Sequence, residues 1–340
     1  MNTQDLDTTA KALVASGKGI LAADESLPTI EKRFRSVGVA LTEENRRSYR
    51  EMLFTTPGLG GFISGVIMFD ETIRQKAADG TPFVEVLKLR EIIPGIKVDR
   101  GTKPLAGFDG EKITEGLDGL RTRLAEYSQL GARFTKWRAV ITIGSNMPSR
   151  ACLEANARAL AQFAALSQEA RLVPIVEPEV LMDGHHTIER HFEVTEATLK
   201  TVFRALFEHD VRLQAMLLKP NMVLSGAYCP RQADAAQAAE ATLRCMLEAV
   251  PAAVPGIVFL SGGQSEVQAT EHLNALNRLG PAPWELSFSF GRALQAQALK
   301  VWMGNPENVR AAQNALHHRA QCNSAARYGR FSERIERLAA

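Results

Sequence analysis

Eight apolar runs of strand length recur along the chain, most of them separated by segments long enough for a helix, and this alternation constrains the fold more than any other feature. The runs cover residues 19–24, 61–69, 92–99, 134–143, 172–180, 216–223, 256–260 and 284–290. Strands joined by helical crossovers run parallel, and eight parallel strands close a (β/α)8 barrel. The expected fold is therefore α/β: a single TIM barrel spanning residues 1–340, with a helical leader at 5–15 and a helical, basic tail at 306–340. A doubly wound open sheet is the rival arrangement of the same elements. Helices are expected at 29–37, 42–54, 83–90, 114–130, 149–170, 195–209, 233–250, 265–279 and 292–302, with Thr42 as a cap and Gly131 as a stop.

Composition narrows the function classes. A net charge of +2 gives no reason to expect nucleic acid or a membrane as partner. The four cysteines, Cys152, Cys229, Cys245 and Cys322, lie far apart without C-x-x-C spacing and read as free thiols of a reducing compartment. Residues 1–18 lack the pattern of a signal peptide and no run approaches a membrane span, so a cytoplasmic protein is expected.

Three of the strands carry charge where valine would be ordinary: Arg133 to Arg138, Pro174 to Glu179, and Met216 to Val223, in which Lys219 precedes the closing Pro220. Side chains alternate faces along a strand, so Lys136 and Arg138 share a side, as do Glu177 and Glu179. The helix-facing side of a barrel must be apolar, which sends these charges inward near the C-terminal end. Lys136 can then approach Lys219 with Glu177 between them. A cationic neighbour and an apolar wall both disfavour a protonated lysine. That matters because an ordinary lysine is neutral in only roughly one molecule per few thousand at pH 7. A Lys136–Glu177 structural ion pair, a solvated Glu179 and Asp24 as a helix cap are the plainer readings of each residue taken alone.

Leu260-Ser261-Gly262-Gly263-Gln264-Ser265 follows the seventh strand and Ser289-Phe290-Gly291-Arg292 the eighth. Glycines let backbone N–H groups converge on an anion, and loops after strands seven and eight are where barrels commonly hold phosphate. A phosphorylated substrate is expected there. Asp183, His185, His186 and His191 lack the usual ligand spacing, so no metal is expected, and His317 and His318 are expected at the surface of the tail helix.

Read as motifs, Ile20 to Ser26, Lys97-Val98-Asp99, Pro104 to Gly107, Lys136-Trp137-Arg138, Val176 to Glu179, Leu218 to Met222, Leu260 to Glu266 and Gly291 to Gln295 together resemble the class I fructose-bisphosphate aldolases, over nearly the whole chain. The resemblance implies a cofactor- and metal-independent, reversible cleavage of fructose 1,6-bisphosphate. It makes Lys219 the Schiff-base lysine and Glu177 the main acid/base, places Asp24 by the C4 hydroxyl, and has Lys136 and Glu179 support the charge network. Ser261, Gly262, Gly291 and Arg292 match one phosphate site, and Ser26 with the neighbourhood of Lys32 and Arg33 matches the other. Arg100 and Arg138 join the substrate-binding set. Similar family members are homotetramers.

The chain departs from the family pattern in three places. Val98-Asp99-Arg100-Gly101 carries arginine where lysine is common, and Leu27-Pro28-Thr29 stands where Thr-Gly-Ser is usual. The segment Arg327 to Ala340 lacks the terminal tyrosine of animal members, which leaves enamine protonation to another donor, to a slow step or to Tyr328. Two alternatives follow: an aldolase preferring fructose 1-phosphate, and a non-catalytic phosphosugar-binding barrel. A zinc-dependent aldolase is disfavoured by the missing histidine cluster.

Overall fold

A computed structural model describes residues 4–337. Its strands are β1 (Gly19–Ala23), β2 (Ile63–Met68), β3 (Ile93–Lys97), β4 (Thr102–Pro104), β5 (Lys112–Thr114), β6 (Phe134–Ile141), β7 (Val173–Val180), β8 (Leu217–Leu218), β9 (Gly256–Phe259) and β10 (Glu285–Phe290). Eight of them close a parallel barrel in the order β1-β10-β9-β8-β7-β6-β3-β2, so the open-sheet alternative is excluded. β4 and β5 pair antiparallel outside it, between the third and fourth barrel strands.

The lower interior is an apolar plug. The leader helix Gln4–Leu13 inserts Leu6, Ala10 and Leu13 beneath Ile20, Ile67, Phe134, Ile175, Leu217 and Val258, all buried. Phe134 fills the bore because its neighbour is Gly95: a Cβ there would sit 2.2 Å from the Phe134 ring. Fully burying such a ring stabilises the fold by roughly 1.5–3 kcal/mol.

Three helices differ from expectation. The one expected at 114–130 spans only Leu120–Gln129. Thr114 pairs with Thr102 in the β4–β5 ribbon, and Gly116 (φ 128°) and Gly119 (φ 66°) take left-handed conformations that a helix cannot pass through. The helix expected at 195–209 begins earlier, at Ile188, where the Thr187 hydroxyl caps Arg190 N–H at 3.3 Å. The helix expected at 29–37 spans Leu27–Arg35 with Ser26 at its N-cap position, which removes the capping role considered for Asp24.

The tail helix Val309–Arg327 packs back on the barrel's helices. At its end the Arg327 guanidinium donates to the carbonyls of Ala15 (2.8 Å) and Lys18 (2.5 Å), and the Ser16 hydroxyl donates to Tyr328 Oη at 3.2 Å. Residues 15–18 precede β1, so Tyr328 lies at the barrel's N-terminal end, opposite Asp24, and cannot reach the mouth. His317 and His318 are not surface groups as expected. Both are half-buried: His317 packs edge-on against Phe62 at 5.1 Å, and His318 Nε2 lies 3.1 Å from the Glu336 carbonyl and 3.4 Å from Cys322 Sγ. Arg319 donates to both carboxylate oxygens of Glu336, so this cluster fastens the short helix Glu333–Arg337 to the tail. The last residues of the expected tail, 338–340, lie outside the described residues.

Candidate active site

Strand register brings the charges together. Across β6 and β7, Lys136 is level with Ile175 and Arg138 with Glu177; across β7 and β8, Val176 is level with Leu218, so Glu177 and Lys219 stand next to each other. Lys136 Nζ lies 2.7 Å from Glu177 Oε2 and 3.0 Å from Asp24 Oδ2, and Lys219 Nζ lies 3.3 Å from Glu177 Oε1. Glu177 thus separates the two lysines, as the strand pattern predicts. Side-chain exposure is 5% for Lys136, 5% for Glu177 and 4% for Lys219, so bulk water supports none of these charges.

The surroundings push the two amines in opposite directions. Burial opposes charge on Lys136, but Asp24, Glu177 and Asp99 outweigh it and hold that amine charged beyond the usual lysine range. At Lys219, burial comes first, the attraction of Glu177 and Asp24 only partly offsets it, and the positive charge of Lys136 adds to it, so its pKa is lowered. Asp24 is pulled well below the ordinary carboxylate range: burial acts to raise it, and Lys136, Lys219 and Lys97 overcome that effect. The result is one fixed cation, two carboxylates and one amine biased toward its neutral, nucleophilic form.

These groups floor a cleft of about 1370 Å³ at the C-terminal end of the barrel. Ser261, Gly262, Gly291 and Arg292 line one side. Gly262 has φ 54°, and Arg292 Nη2 donates to its carbonyl at 3.3 Å, joining the two loops expected to take phosphate. The helix Arg292–Trp302 starts there with its N-terminus toward the cleft lining. Ser26, Thr29, Lys32, Arg33 and Arg100 also line the cleft, and a Cβ at Gly291 would come within 3.6 Å of Arg33 Nη2. The changed loop keeps a hydroxyl pair, Ser26 Oγ and Thr29 Oγ1 at 3.2 Å, and Arg100 is exposed on a backbone held by Glu115. Arg138 lines the cleft while its Nε donates to Glu179, so Glu179 is buried and paired instead of solvated.

The structure adds further groups to this site. Lys97 Nζ sits 2.6 Å from Asp99 Oδ1, in the stretch Lys97-Val98-Asp99 that was quoted only as a motif. Glu25, beside Asp24 in sequence, pairs with both Arg33 and Arg50. Ser289, next to last in β10 and so far only part of the segment read as a phosphate loop, has its hydroxyl buried among the cleft-lining residues, a position that strand alternation alone could have flagged. The histidines near residue 190 are committed elsewhere: His191 Nδ1 accepts from Leu224 N–H at 2.9 Å, and His186 stacks beside it with ring centroids 5.0 Å apart.

Known proteins share this architecture. A family model described as fructose-bisphosphate aldolase class-I matches residues 5–340. The chain is similar to a probable fructose-bisphosphate aldolase class 1 of Xanthomonas axonopodis pv. citri, 57% identical over 332 residues, 97% of this chain and 99% of that protein. It is also similar to the fructose-bisphosphate aldolase of Dictyostelium discoideum, 52% identical over 96% of this chain and 93% of that one. Among solved structures, fructose-bisphosphate aldolase from Plasmodium falciparum, in complex with TRAP and a small-molecule inhibitor, superposes with a TM-score of 0.96 at 50% identity, covering 97% of this chain and 96% of that one. A barrel whose mouth buries two lysines around one glutamate, and a match that runs nearly end to end, lead to one conclusion: the chain belongs to the class I fructose-bisphosphate aldolase family.

Proposed function

We propose that this protein catalyses the reversible cleavage of fructose 1,6-bisphosphate to dihydroxyacetone phosphate and glyceraldehyde 3-phosphate through an imine on Lys219. The observation that carries the reading is the buried Lys219 amine, its pKa lowered, 3.3 Å from Glu177 and facing a neighbour that stays charged. The neutral amine adds to the C2 ketone. Glu177 accepts the proton that Lys219 gives up on becoming neutral, relays the proton of the added nitrogen to the C2 oxygen, and then protonates the carbinolamine hydroxyl, which leaves as water, so that an iminium forms. Asp24, kept ionised by Lys136, takes the C4 hydroxyl proton; the C3–C4 bond breaks and its electron pair moves into the iminium to give an enamine. The aldehyde leaves, C3 is protonated, and water releases the ketose phosphate and the free lysine. Lys136 and Glu179 keep this network ionised and aligned.

Ser261, Gly262, Gly291 and Arg292 bind one phosphate, and Ser26, Arg100 and Arg138 act toward the other end of the substrate. The exposed Arg100 and the Leu27-Pro28 loop favour testing fructose 1-phosphate as a second substrate, and a large loss of turnover without the second phosphate would remove that option. We treat residues 1–340 as a single aldolase domain acting in the cytoplasm as a homotetramer, an assembly that light scattering measures directly. None of the helices among the described residues is long and apolar enough to cross a membrane.

The test is borohydride trapping with dihydroxyacetone phosphate in the presence of a chelator, followed by peptide mapping. An adduct on Lys219 is expected. An adduct on another lysine, or none, would overturn the imine assignment.

A further inference from the structure

We propose that Asn221 is a positioning residue for imine formation: its side-chain amide replaces a missing backbone rung and thereby sets the separation between Lys219 and Glu177. The proposal rests on Lys219 being the imine-forming amine.

The barrel ladder is interrupted where the chemistry sits. In a parallel pair, one residue donates its N–H to the strand beside it and accepts through its C=O from a residue two positions further along. Lys219 N–H donates to Val176 O at 2.8 Å, so its carbonyl should accept from residue 178. Residue 178 is Pro178, which has no N–H, and the strand holding Lys219 is closed by Pro220. Both strands lose a donor at the level of the reacting groups, and β8 keeps only two strand residues.

The connection resumes through a side chain. Val180 N–H donates to Asn221 Oδ1 at 2.9 Å. The Asn221 amide nitrogen in turn donates to Thr195 Oγ1 at 3.0 Å and to Met222 O at 3.2 Å, which fixes which end of the amide faces Val180. His191, fully buried, spans the same gap: its Nδ1 accepts from Leu224 N–H at 2.9 Å and its Nε2 lies 3.3 Å from Val180 O. The β7 strand carries Glu177 and Glu179, and beyond Pro220 the chain regains backbone bonds to the continuation of β7 only at Gly226 (to His186 O, 2.8 Å), Ala227 (to Met182 O, 2.7 Å) and Tyr228 (to Gly184 O, 2.9 Å). Asn221, only 4% exposed, is therefore the first link after the Lys219–Val176 rung, and with His191 it holds the lysine strand against the glutamate strand across the stretch where Pro178 and Pro220 leave no rung.

The test separates positioning from folding and from binding. Asn221→Ala is compared with the natural protein in the rate of borohydride-trapped imine formation and in the affinity for a hexitol bisphosphate, which lacks the ketone and cannot form an imine. Trapping should slow by about ten- to a hundredfold while analogue affinity stays within about twofold. Asn221→Asp keeps an acceptor for Val180 N–H and should recover most of the lost rate. Thr195→Val removes only the partner that orients the amide; it should slow trapping by about threefold without changing affinity, and it carries the test if Asn221→Ala fails to fold. Unchanged trapping in these variants overturns the proposal, as does a loss of imine rate and analogue affinity by the same factor. A natural protein that traps no adduct on Lys219 removes the imine reading itself; one that traps normally while Asn221→Ala does so equally well removes only the role of Asn221.

Discussion

Two buried charge clusters share the mouth of this barrel, and they do different things. In one, Glu25 is gripped by Arg33 and Arg50 and accepts a further hydrogen bond from Gln295 at 3.1 Å. In the other, Glu177 lies between Lys136 and Lys219, with Asp24 on the far side of Lys136. Burial is similar in both. The difference is the cation: a guanidinium has no accessible neutral form, whereas an amine loses its proton once burial and a like charge outweigh its partner. The arginine cluster can hold structure together and attract an anion, but it supplies no nucleophile. The lysine cluster can hold structure with one member and react with the other. A buried ion pair thus points to chemistry only where one partner has an uncharged state within reach.

The largest expected effect turns the reactive cluster into the inert kind. Lys219→Arg keeps a cation beside Glu177 but removes the nucleophile, and turnover should fall by a factor on the order of 10⁴ or more, with no borohydride adduct. A variant retaining a tenth of the activity would break the comparison.

The reciprocal change acts on stability. Arg50→Ala leaves Glu25 short of a partner in a buried place and should cost about 3–5 kcal/mol in denaturant unfolding, while the adduct on Lys219 still forms. Equal loss of the adduct would show that the two clusters work as one.

The smallest effect concerns pH. Imine formation needs the neutral amine, so its rate rises with pH through the lowered pKa of Lys219 and reaches its plateau below the ordinary lysine range. Lys136→Met removes the repelling charge and leaves Glu177 and Asp24 facing Lys219 alone. The acid limb of the trapping rate should move to higher pH. Movement to lower pH would mean that Lys136 does not depress its neighbour.

The alternation of strands and helices was enough to read a parallel sheet, because a parallel strand buried on both faces leaves an apolar run, and the count of eight favoured the barrel over the open sheet that only the closed strand order excludes. Period-two spacing also placed Lys136, Glu177 and Lys219 on inward positions. What stayed hidden depends on local geometry or long range. The β4–β5 ribbon is made of three-residue strands, too short to leave a pattern, and the helix expected at 114–130 ran straight over the glycines at 116 and 119. Glu25 and Arg50 come from separate segments, so only the folded barrel reveals that they pair. Tyr328 shows the reverse: sequence offered it as a proton donor, and the path of the tail helix puts it at the wrong end.

The central claim is that two adjacent buried lysines differ in protonation. Competitive labelling of amines across a pH series, read peptide by peptide, measures both in one sample. Lys219 should become reactive at a pH below that of the exposed lysines, while Lys136 stays unreactive beyond it. Equal labelling curves for Lys219 and Lys136, or a Lys219 curve at or above those of exposed lysines, would contradict it.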